Sequence, residues 1–319
     1  MGSTTRVWRR LRARALWLSA AAPLVAALAL ADELRGAPVG LQPQVVFSDY
    51  SALSATSELV RRLFSPLAAA QIQQQLARSG KQLIEQSVDL AAERFSVFVP
   101  AQAPPQGYAL LVFVPPWRDA VLPRGWATAL ERYGVIFVSA ANSGNDAEVL
   151  GRREPLALLA ARNIMARYTV DPTRVFIGGF SGGSRIAMRL ALAYPDLFSG
   201  ALLNAGSDPL DAGPPTLPPR ELLLRFQQNS RIVYVTGERD TTHQAMDAGS
   251  LLSMRKWCVF NADSEITPAA GHEVADPAAL SGALHLLLAP ARSDPGKLAA
   301  CRADIEKKLT AQLGQVDSL

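Results

Sequence analysis

From residue 81 onward the chain is organised by short, uninterrupted apolar runs at 109–114, 135–138, 175–177, 201–203 and 232–235. Runs of this kind suit strands buried on both faces of a mostly parallel sheet. Between them, residues 126–133, 155–168, 183–194, 220–228 and 244–257 carry helix-like patterns. Strand and helix alternating in this way predict an α/β fold, a sheet covered by helices on both faces. Further upstream, Phe95, Val97 and Val99 alternate with other positions. That is the pattern of a half-buried strand, and 83–88 is the expected partner. Pro104-Pro105-Gln106-Gly107 is a turn. Residues 51–64 and 66–78 read as helices, the second with Ser65 as N-cap, Pro66 in the first turn and Gly80 as the stop. Residues 38–43 read as a linker and 208–219 as a Pro-rich surface loop.

The first 31 residues follow a different pattern. Arg6, Arg9, Arg10, Arg12 and Arg14 precede an apolar stretch that ends in Ala29-Leu30-Ala31, and Asp32-Glu33 follow. A basic start, an apolar middle and a small-x-small end form a secretory signal peptide, with cleavage expected after Ala31. The alternative, an uncleaved anchor, is disfavoured by the short apolar run and by Pro23 within it. The expected organisation is thus a leader over 1–31, a linker and short helical N-terminal extension over 32–80, and an α/β domain over 81–319.

Composition and charge then change the picture in two ways. At 49% hydrophobic and 19% charged the chain is not a disordered one, and two cysteines exclude a disulfide-stapled mini-protein. A net charge of +4 hints at an anionic partner. The leader, however, holds five of the 32 lysines and arginines and none of the 28 acids, so 27 cations face 28 acids in the rest. The basic excess belongs to the export signal, and no nucleic-acid partner is expected. Export also places Cys258 and Cys301 in an oxidising compartment, where a disulfide joining the C-terminal helix to a late strand is expected. After cleavage no stable membrane anchor is expected, and the location is periplasmic or extracellular.

The chemistry concentrates at Gly179-Phe180-Ser181-Gly182-Gly183, which follows the 175–177 run and opens a helix-like segment. This is G-x-S-x-G between strand and helix: a tight turn presents the hydroxyl, and small neighbours let strand and helix approach. A serine hydroxyl needs a base. The chain offers His243, His272 and His285. His272 lies in a loop after the strand-like 258–261 and is the expected base. His243 reads as a surface residue or pocket wall, and His285, inside an apolar helix, as packing. Asp240, just past the 232–235 run, is favoured over Glu238 as the acid, because open α/β sheets keep their sites at the C-terminal ends of strands. Ser181, Asp240 and His272 then stand in the order Ser, acid, His. Three scattered histidines and two distant cysteines give no metal-ligand spacing.

These residues have a family likeness. Residues 171–183, together with Tyr194-Pro195-Asp196-Leu197-Phe198 and Asn204-Ala205-Gly206, resemble the α/β-hydrolase superfamily. More narrowly, they resemble secreted bacterial esterases of the polyhydroxyalkanoate-depolymerase and feruloyl-esterase type. The resemblance covers roughly 95–288. It implies a Ser181-His272-Asp240 esterase without a cofactor. The connection after 201–203 is only a Pro-rich loop and one helix, so no large lid is expected, which permits bulky or polymer-linked esters without requiring them. The chain departs from the family where a His-Gly pair usually follows the third strand. It has Val114-Pro115-Pro116-Trp117 instead, and proline has no N–H to donate. The oxyanion donors are then Gly182 and Trp117, with Phe180, Trp117 and the 142–146 loop expected as pocket walls. Two other functions fit the same residues: a peptidase with the same triad, and a non-catalytic binding protein on the hydrolase fold.

Overall fold

The computed structural model describes residues 37–210, 216–290 and 294–316; the leader expected at 1–31 lies outside them. Among the described residues eight strands form one sheet: β1 (Gly40–Val45), β2 (Phe95–Val99), β3 (Tyr108–Val114), β4 (Val135–Ala140), β5 (Val170–Phe180), β6 (Gly200–Asn204), β7 (Arg231–Gly237) and β8 (Ala262–Thr267). Their order is β1-β2-β4-β3-β5-β6-β7-β8. β2 runs antiparallel to β1 and β4, and the strands from β4 to β8 are parallel. β3, β4, β6 and β7 are buried along their whole length, and β5 from Val175 onward, which accounts for their unbroken apolar runs.

Alternate residues of β3 serve opposite faces. Leu110, Val112 and Val114 join one core with helices α1 (Thr56–Leu63), α4 (Glu154–Arg167) and α5 (Gly182–Ala193). Ala109, Leu111 and Phe113 join the other with α3 (Trp126–Tyr133) and α8 (Pro277–Leu288). Burial of this apolar surface, at roughly 25 cal/mol per Å², is the main force holding the layers together. The remaining helices are α2 (Pro66–Ser79), α6 (Arg220–Asn229), α7 (Thr241–Lys256) and α9 (Pro295–Val316). Among the described residues no helix is long and apolar enough to cross a membrane.

Four expectations are corrected. The 38–43 linker is largely strand β1, which pairs with β2. Pro43 is accommodated because β1 is an edge strand whose register shifts between Gln42 and Val45. Residues 83–88 form no strand. Their polar groups instead finish the start of α1: Thr56 Oγ1 donates to the Ile84 carbonyl (2.6 Å), and the Ser57 N–H and Oγ–H donate to Glu85 (3.1 and 2.8 Å). The last strand is 262–267 rather than 258–261, because the Cys258 N–H closes the end of α7 on the Arg255 carbonyl. A disulfide does join Cys258 to Cys301 on α9, with Cα atoms 5.8 Å apart. It ties α9 to the turn after α7, not to a strand.

Candidate active site

Ser181 stands between β5 and α5 with φ 55° and ψ −122°. A residue with a side chain is strained there. The glycines on either side explain how the turn closes. A Cβ on Gly179 would overlap the backbone of Gly183, and one on Gly183 would overlap the Val114 carbonyl. The Ser181 N–H donates to the Asn204 carbonyl (2.9 Å). The Asn204 side chain accepts from the Ala275 N–H (2.7 Å) and donates to the Val235 carbonyl (2.9 Å). One residue at the end of β6 therefore holds both the serine turn and the loop after β8. That loop is braced a second time by the indole of Trp126, which donates to the Ala275 carbonyl (2.8 Å).

Asp240 is the N-cap of α7, whose first residue, Thr241, lies three positions ahead of the expected helix start. Its carboxylate is 7% exposed and lies 2.7 Å from His272 Nδ1. His272 Nε2 lies 3.0 Å from Ser181 Oγ. Burial works to raise the Asp240 pKa, but hydrogen bonds from the side chains of His243 and His272 and from the His243 N–H outweigh it, holding the group below the ordinary carboxylate value. An ionised carboxylate only accepts, so His272 Nδ1 carries the proton and Nε2 is left to face the serine. Glu238, the other acid considered, accepts from the Ala269 N–H instead (2.8 Å). His285 is exposed, not packed.

The 115–118 loop, expected to serve an oxyanion, is shaped from below and from the side. Buried Arg153 donates to the Ser143 carbonyl (2.8 Å) and the Pro115 carbonyl (3.1 Å). The Asn145 N–H donates to the Pro116 carbonyl (3.0 Å) and the Asn142 N–H to that of Arg118 (2.6 Å). The Asn145 carboxamide lies against Gly182, where a Cβ would overlap it. Phe180 is 8% exposed. Its ring packs 4.9 Å from that of His272 and 6.2 Å from that of Trp117. Phe180 is thus a floor under the His272 ring more than an open wall. The Trp117 indole N–H is buried without a partner among the described residues.

The strand order, with β2 antiparallel and a tight serine turn between the fifth strand and its helix, decides the architecture. This is the α/β-hydrolase fold. No protein-family model matches the chain. Over 98 residues it is 26% identical to a poly(3-hydroxybutyrate) depolymerase of Ralstonia pickettii, covering 26% of this chain and 20% of that protein. Over 44 residues it is 41% identical to poly(3-hydroxyalkanoate) depolymerase C of Paucimonas lemoignei, covering 14% and 11%. Both matches span only a minor part of those relatives. A solved poly(3-hydroxybutyrate) depolymerase from Bordetella parapertussis superposes with a TM-score of 0.44 at 18% identity, over 66% of this chain and 88% of that one.

Within this hydrolase fold, the sequence did not mark Arg153 and Asn204 as site groups, and it left His243 as a surface residue or pocket wall. Arg153 was hidden by the Arg-Arg-Glu run ahead of an apolar helix, and Asn204 by an ordinary strand end. His243 had a signal. It stands three residues after a helix N-cap, the spacing at which a side chain folds back to its cap. The structure puts it against Asp240, not on a free surface. Among the described residues Asp240, His243 and His272 also form a group of potential metal ligands. Their Nδ1 atoms are already engaged by the carboxylate and His272 Nε2 faces the serine, an arrangement suited to proton transfer rather than to an ion.

Proposed function

We propose that the chain is an exported serine hydrolase that cleaves carboxylic esters through an acyl-enzyme. The observation that carries this is the unbroken chain of contacts from Asp240 to His272 to Ser181, 2.7 and 3.0 Å long. It lies at the C-terminal ends of β5 and β7, on a turn built to present a hydroxyl. His272 Nε2 takes the Ser181 proton as Oγ attacks the ester carbonyl, while Asp240 holds the tautomer and stabilises the imidazolium. The N–H groups of Gly182 and Trp117 receive the developing oxyanion, an interaction of about 2.7–4 kcal/mol per donor. The alcohol leaves with the proton from His272, and water activated by the same imidazole releases the acid.

The names of the matched relatives point to polyester chains as the substrate class. Half-exposed His272, 39% accessible at its side chain, suits a bulky or polymer-linked acyl group. Export is supported by the basic–apolar leader and by the disulfide. The test is a panel of short nitrophenyl esters, oligomeric hydroxyalkanoates and aminoacyl anilides, run on the wild type and Ser181→Ala. Ester turnover lost in the variant supports the reading. Turnover of anilides alone, or activity that survives in the variant, refutes it.

A further inference from the structure

We propose that His243 is a positioning residue for the base, an assignment that rests on the serine-hydrolase reading above. Each carboxylate oxygen of Asp240 has its own imidazole: Oδ2 accepts from His272 Nδ1 at 2.7 Å, and Oδ1 from His243 Nδ1 at 2.8 Å. The His243 backbone N–H also reaches Oδ1, at 3.4 Å. Without the imidazole, that long contact and the His272 bond are the carboxylate's remaining partners there, and its plane is free to turn.

The second observation is independent of the first. The His243 ring stacks on that of His272, centroids 4.2 Å apart and planes within 16°. The Phe180 ring also packs against His272, at 4.9 Å and 34°. His272 thus has aromatic contacts from two different elements, the end of β5 and the first turn of α7. His243 sets two coordinates of the base together: the orientation of the carboxylate that receives its Nδ1–H, and the plane in which its Nε2 faces Ser181. A group that only capped the helix would need neither the ring nor the stacking.

The test compares the wild type with His243→Ala, His243→Asn, which retains a donor but no ring, and His243→Phe, which retains the ring but no donor. Turnover of a short nitrophenyl ester is measured alongside the low-field proton resonance of the His272–Asp240 hydrogen bond. The expected result is a kcat in His243→Ala lower by about ten- to a hundredfold, the range for a misplaced catalytic group, with KM unchanged. The low-field resonance is broadened, and His243→Asn and His243→Phe each recover part of the rate. If His243→Ala does not fold, a kcat below wild type with KM unchanged in the other two variants supports the proposal. Wild-type kcat and resonance in folded variants, with only the melting temperature altered, overturn it. Fluorophosphonate labelling of the wild type separates the two levels: labelling with unaffected variants removes the His243 assignment alone, whereas a folded wild type that neither labels nor turns over esters removes the hydrolase reading and this assignment with it.

Discussion

Replacing Ser181 by glycine should make the protein more stable than replacing it by alanine, although both remove the hydroxyl. At φ 55° and ψ −122° a residue with a Cβ is held outside its ordinary wells, at a cost of about 1–3 kcal/mol. Alanine keeps that cost. Glycine removes it but adds freedom to the unfolded chain, about 0.4–1 kcal/mol in the opposite direction. The Ser181 N–H bond to Asn204, at 2.9 Å, is a backbone contact that both variants keep. The net difference is about 1 kcal/mol in favour of glycine, or about 2–4 °C in melting temperature for a domain of this size. Urea unfolding of the two variants side by side, at equal m-values, measures it. A glycine variant equal to or less stable than the alanine one would show that the serine turn stores no strain.

Gly183→Ala should lower both stability, by about 1–3 kcal/mol, and ester turnover, because the new Cβ meets the backbone carbonyl of Val114 and must push the serine turn away from β3; thermal melts and nitrophenyl ester assays check this. Reducing Cys258–Cys301 opens a loop with a sequence separation of 43, which the chain-entropy relation values at up to about 4 kcal/mol. Melting with and without dithiothreitol should show the loss while turnover at 25 °C persists. Glu58, held by the hydrogen bond from Arg61 despite partial burial and then by Arg62, titrates at about 2 in the folded protein. Its pKa is depressed, so its contribution is complete above the unfolded value of about 4.3 and disappears as pH falls toward 2. Glu58→Gln should therefore be less stable than wild type at pH 7, with the gap in urea midpoints closing by pH 2.

Interior strands and the helices between them were legible because burial on both faces leaves no polar positions in runs such as 109–114. The edges were not. β1 contains Gly40, Pro43 and Gln44, residues that signal a linker, and only pairing with β2 makes them a strand. β8 alternates in exposure because it too is an edge. At the candidate site, Ser181, Asp240 and His272 were readable from a motif and from chain order. The groups that set their geometry were not, because Arg153 and Asn204 act through carbonyls and N–H groups brought close by the fold. His243 lay between: its spacing from Asp240 was visible, but its stacking on a ring 29 positions away was not.

The most direct measurement is the site of covalent modification. The protein lacking residues 1–31 is treated with a fluorophosphonate, digested and mapped by mass spectrometry, beside Ser181→Ala and His272→Ala. A single adduct on the peptide carrying Ser181, absent from Ser181→Ala and formed far more slowly in His272→Ala, is the predicted result. An unmodified Ser181 in folded wild-type protein, or an adduct on another serine, would contradict it.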